Sequence, residues 1–191
     1  HVRIVDDWAK CDLVDSARRI HKRAVEYGVN EVRIDSTGVG GGVYDMLDRL
    51  EEFYPRNYQV IGWDNGSSSP DASQWANKRA YAHDSLRTQM VEGRIDLEYD
   101  DETLREELGI ITFKFNNRGA IQITAKDEMK SEIGGSPDRL DAVIMAAADM
   151  SPWTGNPYNS MPLGSVVAVD REDIPSWGLD QYIRMPGRPL L

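Results

Sequence analysis

The chain has 191 residues and 21.5 kDa, with 40% hydrophobic and 28% charged residues, a globular composition sized for one domain and an appendage. It is neither disordered in composition nor a membrane span, since no apolar run approaches the ~20 residues a spanning helix needs. A net charge of −10 and a pI near 4.8 argue against a histone-like DNA binder, and the single Cys11 excludes a disulfide framework or a cysteine zinc cluster.

No signal-peptide pattern or initiator methionine opens the sequence, so it reads as a fragment of a longer polypeptide. Alternation over Val2-Arg-Ile-Val5 predicts a short strand ending in Asp6 and Asp7. Leu13, Ala17, Ile20 and Ala24 then recur at helical spacing, predicting a helix from about Asp12 to Tyr27 with Gly28 as its C-terminal cap. Glu31 to Asp35 reads as a strand with Val32 and Ile34 on one face. A glycine-rich turn, Ser36 to Gly42, leads to a helix carrying Val43, Met46, Leu47 and Leu50. Tyr58 to Trp63 is the next strand, and this strand–helix–strand unit favours an α/β fold with a partly parallel sheet.

Beyond the loop Gly66-Ser-Ser-Ser-Pro70, the positions Ala72, Trp75, Ala76, Arg79, Ala80, His83, Leu86 and Met90 predict a helix up to Gly93. Asp100 to Leu108 reads as a short acidic helix. Ile110–Phe115 and Ala120–Ala125 form a hairpin around Asn116-Asn-Arg-Gly119. Ser136 and Pro137 suit the start of a last helix whose apolar face is Leu140, Val143, Ile144 and Ala147. Six of the nine prolines fall in 151–191, with Trp153, Trp177 and Tyr182 as apolar anchors. The expected division is therefore a domain over 1–150 and an irregular tail over 151–191 that wraps the domain or docks onto a partner.

Three features bear on chemistry. Asp35 closes a strand before the glycine turn, where α/β folds place their ligands, although a turn aspartate bonding backbone amides fits equally well. The glycines lack the Lys-Ser/Thr of a phosphate-binding loop, and Val43 stands where a dinucleotide fingerprint needs its third glycine. Close helix packing explains them, with a dinucleotide site using Asp64 as the alternative. Asp138 and Asp141 share one side of the last helix. Asp141 sits inside an apolar stretch, where a carboxylate calls for a partner or a metal. Acids from a strand end and a helix start could together hold Mg2+ or Mn2+ for phosphodiester cleavage. His21 and His83 lack zinc-ligand spacing, and Ser36 has no partner pattern for nucleophilic chemistry.

Asp35-Ser-Thr-Gly-Val-Gly-Gly-Gly-Val-Tyr-Asp-Met-Leu47 and Ser136-Pro-Asp-Arg-Leu-Asp-Ala-Val-Ile-Met-Ala146, with Ala76-Asn-Lys-Arg-Ala80 and Ala125-Lys-Asp-Glu-Met-Lys130 between them, resemble the nuclease domain of the large terminase subunit of tailed bacteriophages. The four segments occur in the family's order, and the resemblance spans about residues 2–150. It implies a ribonuclease-H-like fold, a mixed central sheet flanked by helices with an added β-hairpin. It implies a divalent-metal-dependent endonuclease that cuts concatemeric double-stranded DNA when packaging starts and ends. By motif, Asp35 and Asp141 resemble the family's second and third acids, catalytic and metal-holding, with Asp138 their neighbour. Lys126 is expected near phosphate. Arg118, Lys126 and Arg139 are the candidate DNA-contacting cations, framed by the hairpin and the last helix. The family's first acid lies on a strand upstream of Val2, so an incomplete metal set is expected here. The implied partners are a portal and procapsid, a small terminase subunit and an upstream ATPase domain, in the host cytoplasm. A non-catalytic docking module of the packaging machine is the alternative outside enzymes.

Overall fold

A computed structural model of the chain describes residues 1–37, 39–50, 56–97 and 100–154. In order these hold helix α1 (Leu13–Tyr27), strand β1 (Glu31–Asp35), helix α2 (Val39–Leu50), strand β2 (Gln59–Trp63) and helices α3 (Lys78–Val91) and α4 (Glu102–Gly109). The hairpin strands β3 (Phe113–Phe115) and β4 (Ile121–Ile123) follow, then helices α5 (Lys126–Ile133), α6 (Asp138–Ala147) and α7 (Ser151–Thr154). β1 and β2 pair in parallel, Asp35 opposite Trp63, and α2 makes the crossover that a parallel pair requires.

Local chemistry sets the ends of the elements. The Asp12 carboxylate accepts the Asp15 N–H and starts α1, and Gly28 ends it at φ 61°, a conformation that favours a residue without a Cβ. A Cβ on Gly40 would stand 1.7 Å from the Asp35 carbonyl oxygen, so only glycine lets α2 begin hard against the end of β1. The strand period of two then sorts the core. Ile34 packs with Ala17 of α1 and Leu47 of α2 on one face. Trp63 turns to the other face and packs with Leu86 of α3, Leu104 of α4 and Leu140, Val143 and Ile144 of α6. Ile123, Met129 and Ala80 form a smaller cluster that fastens the hairpin and α5 to the start of α3.

Several elements differ from expectation. The strand over 2–5 shrinks to one bridge, Val2 with Leu97, because Asp6 is drawn onto Arg19 and Arg23 of α1 and Asp7 onto Arg139. The helix expected from Ala72 starts at Lys78: Asp71 binds the Ser73 N–H, the Ser73 hydroxyl and Gln74, closing a turn, and Asn77 becomes the cap. α5 was not expected, although Asp127 and Glu128 in its first turn and Gly134 after its last residue are helix signals. Ser136 does not cap α6 with its side chain; Glu107 of α4 accepts the Leu140 N–H instead. Of the tail, Ser151–Thr154 is helical, and 155–191, with Trp177 and Tyr182, lie outside the described residues.

Candidate active site

Asp35 ends β1 with its Oδ1 accepting the Thr37 backbone N–H at 3.0 Å and the Thr37 hydroxyl at 2.6 Å. No donor among the described residues reaches its Oδ2. Arg33, two residues earlier, shares Asp35's face of the strand. Its side chain is buried, pairs with Glu31, and donates to the carbonyls of Met145 at 2.6 Å and Ala148 at 2.8 Å. The α6 end is thereby tied to the face that carries Asp35.

On α6 the two acids part company. The Asp141 side chain is 14% exposed and the Asp138 side chain 78%, because Asp141 sits beside the buried Leu140 and Val143. Lys126, the first residue of α5, meets the Asp141 carboxylate in an ion pair and stands 3.9 Å from Asp138. Beneath them the buried Glu107 accepts the Leu140 N–H at 2.6 Å. Burial pushes the Glu107 carboxyl up to about 7; that N–H and Arg139 pull the other way, and Asp138 and Asp141 add to the rise.

The three candidate DNA-contacting cations occupy different settings. Arg118 lies in the hairpin turn, where Lys114, Asn116, Asn117 and Gln122 join it around an open concavity of 470 Å³. Lys126 faces α6. Arg139 turns away to Asp101 at 2.8 Å and Asp7 at 3.1 Å, clamping the N-terminal segment and α4 to α6. The glycine run is accounted for by packing: besides Gly40, a Cβ at Gly42 would meet Leu13 at 2.7 Å. Asp64 accepts the Gly66 N–H at 2.8 Å in the turn after β2.

Two charged residues near the candidate acids were not singled out from the sequence: Glu107, which accepts the Leu140 N–H, and Arg79, which donates to the Thr124 carbonyl at 2.8 Å. Glu107 falls on the stripe Leu104, Glu107, Leu108 and Ile111, where a helical period places it among apolar neighbours. Arg79 stands within the apolar stripe of α3. Both were legible as charges at core positions.

Among the described residues no three His, Cys, Asp or Glu side chains gather as a ready metal cage. Asp35 and Asp141 nevertheless offer carboxylate oxygens, the donor class that Mg2+ and Mn2+ take, and each keeps one oxygen free of a donor among the described residues. By donor chemistry these residues fit a hard divalent cation.

No protein-family model and no curated protein sequence matches the chain. Solved structures do. The nuclease domain of the large terminase subunit gp2 of bacterial virus Sf6 is similar at 25% identity and a TM-score of 0.56, over 71% of this chain and 72% of that one. Its lysine-to-alanine mutant with manganese is similar at 23% and 0.57, over 71% and 73%. A mutant form with calcium is similar at 23% and 0.57, over 71% and 72%. Over that span the chain has the ribonuclease-H-like fold of a terminase nuclease domain.

Proposed function

We propose that the chain is the nuclease module of a phage-type large terminase, a divalent-metal-dependent endonuclease that cuts concatemeric double-stranded DNA when packaging begins and ends. One observation carries the reading: Asp141, its side chain only 14% exposed and paired with Lys126, belongs to the helix that lies against the Asp35 face of β1. A carboxylate in that setting needs a cationic partner. Lys126 supplies one, and a bound cation would take its place.

In this reading Asp35 and Asp141 hold Mg2+ or Mn2+, with Asp138 as the exposed neighbour. When bound, such an ion activates water and stabilises the leaving oxygen of a phosphodiester. The chain's own residues do the rest. Thr37 fixes Asp35 through Oδ1, and Asp35 would be one of the carboxylates that hold the ion. Lys126 neutralises Asp141 and, beside the residues that would hold the ion, would offer its ammonium to a phosphate. Arg118 adds positive charge at the hairpin, and Arg139 contributes less because Asp7 and Asp101 neutralise it. The tail over 151–191 docks onto a packaging partner. Portal, procapsid, small terminase subunit and an ATPase domain are the partners such a module works with, in the host cytoplasm. No helix among the described residues is long and apolar enough to cross a membrane.

The test is cleavage of linear double-stranded DNA together with Mn2+ titration calorimetry. Asp35→Asn and Asp141→Asn keep side-chain shape and remove the charge, so each should lower cleavage roughly a thousand-fold and abolish the binding heat. Unfolding midpoints should stay within a few degrees. If both variants cut like the wild type, the assignment of these acids is wrong.

A further inference from the structure

We propose that Arg79 is a positioning residue that holds Lys126 against Asp141; the inference rests on the nuclease reading above. Arg79 is the second residue of α3, and its backbone N–H donates to the Asn65 carbonyl at 3.1 Å while its carbonyl accepts from His83 Nδ1 at 2.8 Å. With its backbone so held, its guanidinium reaches across to the segment that carries Lys126. Nη1 donates to the Thr124 carbonyl at 2.8 Å, and Nη2 lies 3.3 Å from the Met129 sulfur. Thr124 stands two residues before Lys126, and Met129 three residues after it. One planar group therefore grips both sides of the turn that aims the lysine.

The grip is needed because α5 has no cap of its own. Ala125 occupies the cap position and makes no side-chain hydrogen bond there. Asp127 and Glu128 favour a helix there, but with no side-chain cap at Ala125 the Arg79 donor on the Thr124 carbonyl helps to set the entry of the chain. Met129, wholly buried with Ala80 and Ile123, gives the second point of the grip a rigid seat. Arg79 also feels the acid at the far end of the pair: burial lowers its pKa and the Asp141 carboxylate pulls it back up. A lysine at position 79 has one point charge and cannot span carbonyl and sulfur together.

The proposal is tested on the full chain with Arg79→Met, Arg79→Lys, Lys126→Ala and the Arg79→Met/Lys126→Ala pair. Arg79→Met should lower kcat on linear DNA about 10- to 100-fold with KM within about two-fold, the size expected when a supporting contact is lost. The double variant should be no worse than Lys126→Ala alone, since Arg79 acts through that lysine. A readout independent of metal and DNA is the slowly exchanging Lys126 ammonium resonance in NMR. It should be present in the wild type, lost in Arg79→Met and weakened in Arg79→Lys. A wild-type resonance and kcat in Arg79→Met would overturn the proposal, as would losses that multiply in the double variant. If Arg79→Met does not fold, Arg79→Lys decides alone: an intermediate kcat with a weakened resonance supports the proposal, and wild-type values in both overturn it. A wild-type chain that neither cleaves DNA nor binds Mn2+ would defeat the nuclease reading, while the resonance still decides whether Arg79 places Lys126.

Discussion

On one face of the β1–β2 pair, Ile34 meets Ala17 and Leu47, and the buried members of that cluster are all apolar. On the other face Trp63 meets Leu140, Val143 and Ile144, yet the same layer also carries Arg33, Lys78, His83 and Glu107, all buried. Asp6 is the remaining buried Asp, Glu, Lys, Arg or His among the described residues, and Arg19 and Arg23 neutralise it. Each charge in the second layer costs desolvation unless something answers it. Arg33 is answered by carbonyls of α6, Glu107 by the Leu140 N–H, and Lys78 by the Trp63 ring, 4.0 Å from its ammonium. The first face is a packing surface, and the second keeps costly polar groups beside Asp35 and Asp141. Under the proposed nuclease reading, that contrast places the expected chemistry on the second face.

The largest effect should come from the polar face. Arg33→Met leaves the Met145 and Ala148 carbonyls without their donor and detaches α6 from the Asp35 face. A loss of about 4 kcal/mol is expected, in the range for breaking a buried charged network. Mn2+ binding should weaken with it. Chemical denaturation and calorimetry check both, and unchanged Mn2+ affinity in the folded variant would separate α6 placement from the site. Leu47→Ala probes the packing face, with a cavity cost of about 3 kcal/mol. Here the folded protein should bind Mn2+ and cut DNA as before. A cleavage defect as large as that of Arg33→Met would erase the distinction between the faces.

A pH titration sharpens the same contrast. Burial depresses His83 to about 4, against 6.5 for the free side chain, and its Nε2 finds no partner among the described residues. Because the folded pKa is lowered, the neutral ring favours the native state above pH 6.5, and that advantage fades as the pH falls toward 4. Linkage puts the loss at about 2 kcal/mol between pH 7 and about pH 5. Glu107, raised to about 7 in the fold, gains a similar amount over the same window, so urea midpoints should change little in the wild type and rise as the pH falls in His83→Phe. Equal slopes would mean that His83 is not the group whose charging costs stability.

Much of this arrangement was readable in the residues before any coordinates. Helical spacing and Gly28 set α1 within a residue at either end, and β1 was bounded as Glu31 to Asp35. Those signals are local, a period and a cap. What failed depended on distant partners. Val2–Val5 alternates like a strand, but Asp6 and Asp7 answer arginines on two other helices. Ser136 looks like a cap, yet Glu107, far away in sequence, takes the Leu140 N–H. For the site, Asp141's partial burial followed from its apolar neighbours, whereas its pairing with Lys126 relies on a helix start that no side-chain cap announces. Arg139 was grouped with Arg118 and Lys126 by sign of charge alone, and only the fold shows it turned to Asp7 and Asp101.

The smallest expected change in stability lies just past the end of β1, at Thr37. Its hydroxyl donates to Asp35 Oδ1 at 2.6 Å, and the backbone N–H of the same residue donates to the same oxygen. Thr37→Val keeps the β-branched shape and the N–H but deletes the hydroxyl. Because the site is exposed, the stability loss should stay near 0.5 kcal/mol. Its effect on the ion should be larger than that figure suggests, since a partner that orients a ligand tunes affinity at roughly ten-fold or more. With one donor left, Asp35 can rotate Oδ1 and Oδ2 between roles, and Mn2+ should bind several-fold more weakly. Thr37→Ser restores the hydroxyl without the methyl and should recover most of that affinity. If Val and Ser variants bind Mn2+ alike, the hydroxyl does not orient Asp35, and the backbone N–H alone holds the carboxylate in place.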